Sequence, residues 1–407
     1  MSELLANAIK PWIPQADRFE HLHAPATPAD VAEALAALTS EGTAVVPVGG
    51  GGAMSIGNPL TTPAVGLSTM ALNRVRSYEP TDMTLSVEAG VTLAEIRELI
   101  GAHGQMIPAE APHPDRATIG GLVATALTGP RRYGGGTLRD VLIGIEVAYP
   151  DGSLGKAGGL VVKNVSGFDM MRIHHGAMGT LGVITALNFK VLGRPRNEFT
   201  AIASSASIAE LEASAHQLRP LANRPAALVI RSSADGYELA ARYEGRPSGL
   251  SAVANRVLAI MPDAGRIDDG ESEQFWQTVI DNRRLRDSRF IHIQVTCKPN
   301  QTFATLGEVQ SLLHSLGSLQ SLEIEPGIGE IQAVIQPDLA ATAESVGSFA
   351  EAIRGSASLR FRAISPSLAG ATDAWGSEPA SIDLMRRLKH EFDPRRTLNP
   401  SRFAGFI

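Results

Sequence analysis

The sequence predicts an α+β protein of two domains with a short tail that returns to the first, and three observations predict it. A chain of 407 residues exceeds what one hydrophobic core usually organises, since domains run to about 100–200 residues. Its 40 glycines cluster, most visibly in a run that follows a short apolar strand, which points to turns and to backbone that must approach a ligand closely. After Arg196 the texture changes to repeated sets of strand, helix, strand, strand and helix, an order resembling the split βαβ arrangement. Hydrophobic residues at 44% and charged residues at 19% mark an ordinary globular composition.

The elements follow in order. Thr27 is an N-cap with Pro28 at the first helical position; Val31, Ala34, Leu35 and Leu38 share one face, and Gly42 stops the helix. TAVVPVGGGG is a short apolar strand running into Gly49, Gly50, Gly51 and Gly52. MTLSVEAG alternates as a strand, and Thr92 with Glu95 forms a capping box ahead of Leu93, Ile96, Leu99 and Ile100. TIGGLVATALTGPRRYGGG is glycine-rich at both ends, and VLIGIEVAYPDGSLGKA is a hairpin turning at Pro150, Asp151 and Gly152. A strand from Val183 to Leu192 closes the first domain, 1–197. Strands and helices alternate through the second domain, 198–365, with an extra helix striped by Phe275, Trp276 and Val279 between its halves. The segment 366–407 holds a helix stopped before Pro394 and a proline-punctuated end.

Composition also excludes. A net charge of -6 and the lack of a Lys/Arg stripe argue against nucleic acid. Cys297 is the only cysteine, so an intrachain disulfide, a cysteine zinc site and an iron-sulfur cluster held by this chain alone are ruled out. The N-terminal twenty residues carry charges and prolines where a signal peptide needs an apolar core. No run reaches about 18 apolar residues. A cytoplasmic protein with at most peripheral membrane contact is expected.

A glycine run after a strand lets successive backbone N–H groups converge on an anion, so GGGGAMS is a candidate phosphate cradle, with an unliganded turn as the alternative. A Walker A loop fails because Gly57 is followed by Asn58 and Pro59. A Rossmann fingerprint from Gly49 fails because Met54 falls where a small residue must pack. Further glycine clusters at Gly120–Gly121, Gly134–Gly136 and Gly176, Gly179 and Gly182 count against the unliganded turn.

The succession PVGGGG, VEAGVTLAEI, TIGG, YGGGTLRDVLIGIEV, DG, VVKNVSGFDM, GAMGTLGVIT and FDPRRTLNP resembles the FAD-binding (PCMH-type) domain of the vanillyl-alcohol oxidase and p-cresol methylhydroxylase superfamily, over about 28–196 and 384–403. TALTGPRRYGGGTLRD and the Phe275–Trp276 helix look most like the smaller FAD-binding subunit, the E subunit, of bacterial glycolate oxidases. The resemblance implies a two-lobed FAD-binding domain with a ferredoxin-like α/β cap. It further implies that Pro47, Val48, Gly49, Gly50, Gly51, Gly52, Ala53 and the Ser55 hydroxyl hold the pyrophosphate. Thr118, Gly120 and Gly121 would line the pyrophosphate and flavin side, Gly129 and Pro130 would shape a loop beside the flavin, and Val183 and Ile184 would offer main-chain groups at its rim. Lys163, Asn164 and Gly167 fall in the family's Lys-Asn-x-x-Gly-Tyr-Asp pattern, with Phe168 in place of Tyr. Asn399 and Pro400 match the returning tail, where Ser401 replaces the usual Gly. Relatives that attach flavin covalently use a histidine near the phosphate loop; none stands between Pro47 and Leu60, so noncovalent FAD is expected.

Catalytic candidates are fewer. The His-x-Gly-Asp-Gly-Asn-x-His signature of metal-assisted 2-hydroxy acid relatives is absent, so no metal site is expected. Hydride transfer to a flavin needs a base for the substrate hydroxyl and a cation for its carboxylate. In RFIHIQVT the period of two puts His292 and Gln294 opposite Ile291, Ile293 and Val295, making His292 the candidate base; a histidine packed on a helix or left in solvent is the commoner outcome. Arg360 and Arg362 share a polar strand face and read as solvated, whereas Arg131 and Arg132 are candidates to neutralise pyrophosphate or reduced flavin. His21 and His23 alternate on a strand without nearby carboxylates and read as solvent-facing; His174 and His175 read as structural.

The resemblance implies an FAD subunit that oxidises a small 2-hydroxy acid, glycolate or D-lactate, within a complex holding a second FAD subunit and an iron-sulfur subunit. A self-sufficient dehydrogenase or oxidase and a non-catalytic flavin-binding scaffold are the alternatives.

Overall fold

In the computed structural model, residues 18–160, 169–261, 263–283, 289–339, 341–370 and 372–407 are described. The chain divides into two units: unit 1 takes in Met1–Thr128, Thr137–Arg194 and Glu378–Ile407, and unit 2 takes in Gly129–Gly136 and Pro195–Ser377. Three details differ from the sequence-based boundaries, the first being a division between Arg194 and Pro195 rather than after 197. The stretch Gly129–Gly136 belongs to unit 2, and the tail rejoins unit 1 at Glu378 rather than at 366.

Unit 1 contains strands β1 (Phe19–His23), β2 (Val45–Val48), β3 (Ala64–Ser68), β4 (Val75–Glu79), β5 (Thr84–Glu88), β6 (Gln105–Met106), β7 (Leu142–Ala148), β8 (Leu154–Gly158), β9 (Val183–Lys190) and β10 (Leu192–Gly193). A parallel sheet in the order β1-β3-β2 carries the helix Pro28–Ser40. That helix starts because the Thr27 hydroxyl accepts from the Asp30 N–H while the Asp30 carboxylate accepts from the Thr27 N–H. It buries Val31, Leu35 and Leu38 against Val45, Val65 and Leu67.

A second sheet, antiparallel in the order β4-β5-β9-β7-β8, packs Leu85, Val87, Ile145, Leu187 and Phe189 against the helices Leu93–Gly101 and Ile119–Thr125. The capping box of Thr92 and Glu95 forms as expected. The TIGG segment, read from sequence as glycine-rich and without a stated element, is the start of a helix capped by the Thr118 hydroxyl. The β7–β8 turn places Gly152 at φ 85°, a conformation that costs a side-chain-bearing residue about 1–2 kcal/mol.

Unit 2 is built on one eight-stranded antiparallel sheet. Its strands are β11 (Asn197–Ser205), β12 (Ala227–Ser233), β13 (Gly236–Gly245), β14 (Gly265–Asp268), β15 (Ile291–Thr296), β16 (Gly317–Glu325), β17 (Glu330–Pro337) and β18 (Ser358–Ala363), in the order β14-β11-β13-β12-β16-β17-β15-β18. Read by halves, each is a ferredoxin-like set, its fourth strand beside its first and its third between its first and second, and the halves join edge to edge through β12 and β16.

Helices Ile208–Leu218, Pro247–Ile260, Thr302–Leu313 and Ala343–Arg354 contribute to the main core with Leu228, Ile230, Ile293, Ile324, Ile331 and Phe361. On the other face of the first half lies Asp269–Asn282, whose Trp276 packs with Ala227, Val229 and Ala240 and donates from Nε1 to Thr200 Oγ1 at 2.7 Å. No helix among the described residues is long and apolar enough to cross a membrane.

Candidate functional site

The glycine loop of unit 1 leaves β2 and is held from several sides. Gly49 lies so close to Thr118 that a Cβ on it would sit 2.2 Å from Thr118 Oγ1. A Cβ on Gly50 would sit 1.8 Å from the Arg116 carbonyl oxygen, and Arg116 Nη2 donates to Gly50 O at 3.3 Å. Pro47 abuts Gly179, whose φ of 67° and near approach both call for glycine. Gly51 is also left-handed, at φ 85°. From Thr118 the chain continues to Gly120, whose N–H donates to Ala89 O at 2.9 Å and whose Cβ would meet Ala89 Cβ at 2.6 Å.

The tail completes this region. Asn399 donates its N–H to Val45 O at 2.8 Å and its side-chain amide to Met178 O, and Val45 donates to Thr397 O at 2.7 Å. Unit 1 therefore brings together Pro47, Val48, Gly49, Gly50, Gly51, Gly52, Ala53, Ser55, Thr118, Gly120, Gly121 and Asn399. Val183 and Ile184 pair with Ala148 and Val147 in the sheet, and their side chains are buried in two different cores, so only their backbone is available to a ligand.

The donor set fits a dinucleotide. No acceptor among the described residues takes the N–H groups of Gly49, Gly50, Gly51, Gly52 or Ala53, although Gly50 and Gly51 are buried. The buried Ser55 Oγ and Asn399 Oδ1 likewise lack a partner among the described residues. Buried polar groups are nearly always hydrogen-bonded, so a run of unpartnered donors with open space at the Gly52 Cβ position suits an anionic ligand. Pyrophosphate is an acceptor of that kind.

Other expectations fare differently. Lys163, Asn164 and Gly167, with Phe168, lie outside the described residues. Gly129, Pro130 and Arg131 belong to unit 2, where Gly134 N–H donates to Ala226 O at 3.1 Å and Arg131 pairs with Glu244 at 2.9 Å. His21 and His23 are exposed and meet each other at 3.0 Å; no cluster of metal-ligating side chains occurs among the described residues. His174 is buried against Tyr149 and Phe392, and burial pulls its pKa down to about 4.

Sequence alternation on β15 to β18 builds a second feature inside unit 2. Ile291, Ile293, Ile324, Ile331 and Phe361 turn to the core, so His292, Gln294, Glu323, Glu325, Glu330, Gln332 and Arg362 share the opposite face. His292, the candidate base for which a helix-packed or solvent-facing place was the commoner alternative, is buried in this polar layer. Arg362, expected to be solvated, is buried too and donates to Gln332 Oε1 at 2.9 Å, while Arg360 is exposed over the Trp375 ring.

Gln332 donates its amide to Glu330 Oε1 at 2.6 Å, which turns its oxygen toward His292 Nε2, 3.3 Å away. That orientation makes His292 Nε2–H the donor and Nδ1 the basic nitrogen. Arg132, at 2.5 Å, also holds Glu330, and Arg283 bridges Glu323 and Glu325. Burial raises Glu325 to about 7 against the pull of Arg283. A cavity of about 150 Å³ borders His292, Arg231, Arg283, Glu323 and Gln332. Sequence reading missed this carboxylate layer, although the alternating Glu323, Glu325, Glu330 and Gln332 was the signal for it.

A family profile described as the FAD binding domain matches residues 20–168. This part of the chain is similar to FAD binding domains. Glycolate oxidase subunit GlcE of Escherichia coli is 37% identical over 158 residues, 39% of this chain and 45% of that protein. A D-lactate dehydrogenase of Anaerostipes hadrus is 32% identical over 37% of this chain and 31% of its own length. The chain thus spans under half the length of these two curated relatives in the matched region. A D-2-hydroxyglutarate dehydrogenase of Xanthomonas citri pv. viticola is 25% identical over 93% of this chain and 88% of that one. Among solved structures, alkyldihydroxyacetonephosphate synthase superposes with a TM-score of 0.68 at 16% identity, covering 93% of this chain and 76% of that one, which shows a shared fold.

Proposed function

We propose that this chain is a flavin-dependent oxidoreductase that converts a small 2-hydroxy acid, glycolate or D-lactate, to the 2-oxo acid as the FAD-binding subunit of a glycolate oxidase-type complex. The observation that carries the reading is the idle donor run Gly49–Ala53 within an FAD-binding domain whose matched segment resembles GlcE. Bound noncovalently, FAD would supply the acceptor for a hydride from the substrate carbon. Backbone N–H groups from Gly49 to Ala53 and the Ser55 hydroxyl would hold its pyrophosphate, Thr118, Gly120 and Gly121 would flank it, and Asn399 Oδ1 would accept from a hydroxyl or N–H group elsewhere on the FAD. Val183 and Ile184 would contribute main-chain groups, with Lys163, Asn164 and Gly167 following the family pattern.

In unit 2, His292 is our candidate for holding the substrate hydroxyl proton at Nδ1, its ring fixed by Gln332, which Glu330 and Arg362 orient in turn. A second flavoprotein and an iron-sulfur subunit are the proposed partners. With Cys297 as its single thiol, this chain needs a partner to carry electrons through an iron-sulfur cluster.

The likeness to D-2-hydroxyglutarate dehydrogenase over most of both chains favours a second reading, a self-sufficient dehydrogenase. Anaerobic mixing of the isolated holoprotein with glycolate and with D-lactate separates the two. Slow or no flavin bleaching alone, with rapid bleaching in the assembled complex, supports the subunit. Rapid bleaching by the isolated chain, sustained with an artificial acceptor and lost in His292→Ala, supports the self-sufficient enzyme. Flavin that never bleaches in either setting refutes both.

A further inference from the structure

The FAD-binding profile ends at 168, yet the loop it identifies is held in place by the far end of the chain. The Arg402 side chain is 4% exposed, and its guanidinium faces the turn that follows the glycine run. Nε donates to Asn58 O at 3.2 Å, and Nη2 donates to Met54 O at 2.6 Å and to Ile56 O at 2.7 Å. Contacts run the other way as well: Asn58 donates its N–H to Arg402 O at 3.0 Å and its side-chain amide to Phe403 O at 3.1 Å. The turn from Met54 to Asn58 is thus wrapped around one cation. A planar fork suits carbonyls that converge from different directions, which an ammonium on a single flexible stem matches less well.

The segment that delivers Arg402 is itself firmly set. Asp393 accepts the N–H groups of Thr397 and Leu398 at 3.1 and 2.8 Å, and its partner Lys389 donates to the carbonyls of Leu398 and Thr180. Arg396, Asn399 and Ser401 are all held in the left-handed region, which non-glycine residues adopt only when their surroundings dictate it. Thr118 and Arg116 brace the glycine run at Gly49 and Gly50, whereas the turn that follows it meets the C-terminal segment. Gly51 and Gly57, both left-handed, bracket a segment whose ordering costs conformational entropy. Burial lowers the Arg402 pKa to about 10, so the group is still charged at neutral pH and places a positive charge behind a loop that would receive two phosphates.

We propose that Arg402 is a positioning residue for FAD: it fixes the turn Met54–Asn58 from behind, so that the N–H groups of Gly49–Ala53 are already aligned when the pyrophosphate arrives. The C-terminal segment is then a working part of the cofactor site. This rests on the reading that the glycine run binds pyrophosphate.

The test compares wild type, Arg402→Lys and Arg402→Met as FAD-free full-length chains, titrated with FAD by flavin fluorescence, with amide exchange followed in parallel. The expected result is FAD binding weakened at least tenfold in Arg402→Lys and further in Arg402→Met. Exchange should quicken at 49–58 in both while unit 2 is unchanged, and the rise in Tm produced by saturating FAD should shrink. A purely structural Arg402 would lower the Tm of the FAD-free chain and leave FAD affinity as it was; affinity within twofold of wild type in Arg402→Lys overturns the proposal. If Arg402→Met does not fold, Arg402→Lys decides alone. Wild type that takes up no FAD refutes the reading of the glycine run instead. In that event unaltered exchange at 49–58 in Arg402→Lys would still overturn the positioning role.

Discussion

Gly50 and Gly52 stand two residues apart and ask for glycine on different grounds. At Gly50 a side chain would run into the Arg116 backbone, which has nowhere to go; at Gly52 a Cβ would meet nothing in the protein within 4 Å. Gly50→Ala is therefore expected to lose both stability and bound flavin. Gly52→Ala should keep its stability within about 0.5 kcal/mol, as exposed substitutions do, while binding FAD more weakly because the methyl enters the space assigned to the ligand. Urea unfolding beside flavin content checks the pair, and unchanged FAD affinity in Gly52→Ala would move the ligand elsewhere. Ser401 gives the reverse case. Its φ of 64° is strained for serine, so Ser401→Gly should stabilise the FAD-free protein by about 0.5–1 kcal/mol, read from the urea midpoint.

At the scale of elements, the amphipathic pieces were legible and the joins between them were not. Thr27 with Asp30 and Thr92 with Glu95 cap the helices that their spacing announced, and the Phe275–Trp276 stripe lies on a helix as read. β14 was missed because four residues, Gly265–Asp268, are too few to show alternation. The joining of two ferredoxin-like halves into one sheet was also out of reach, since edge pairing of β12 with β16 leaves no local pattern. The cofactor loop was visible through its glycines. Arg402 was not, because a buried arginine bonded to carbonyls reads in sequence like any charged residue near a terminus.

His292 shows the same limit: alternation gave its face, but its burial depends on Gln332, Arg362 and the carboxylates beside it. Trp276, by contrast, has a readable cost. Trp276→Ala empties the packing beneath Val229 and Ala240 and removes the bond to Thr200, which should lower stability by about 3–5 kcal/mol; a change under 1 kcal/mol in urea unfolding would contradict that packing.

Across the whole molecule the two units are expected to respond to pH in opposite directions. His174 in unit 1 has its folded pKa depressed to about 4 by burial, so the unfolded chain takes up a proton first. Its stabilising contribution, at most about 3 kcal/mol, is complete above pH 6.5 and is lost as pH falls toward 4. Glu325 in unit 2 is raised to about 7, foremost by burial, so the folded form binds the proton first. Its contribution is present below the ordinary carboxylate range and is lost as pH rises toward 7. Between pH 7 and pH 5 the free energies of amide exchange should fall in unit 1 and rise in unit 2, and His174→Gln should flatten the first trend alone.

The whole-molecule claim that organises the rest is that the chain carries one noncovalent FAD held by the glycine run. Acid precipitation of the purified protein, with flavin measured in supernatant and pellet, tests it most directly. One FAD per chain, all in the supernatant, is the predicted result; flavin retained in the pellet, or a chain that binds none when offered FAD, would contradict it.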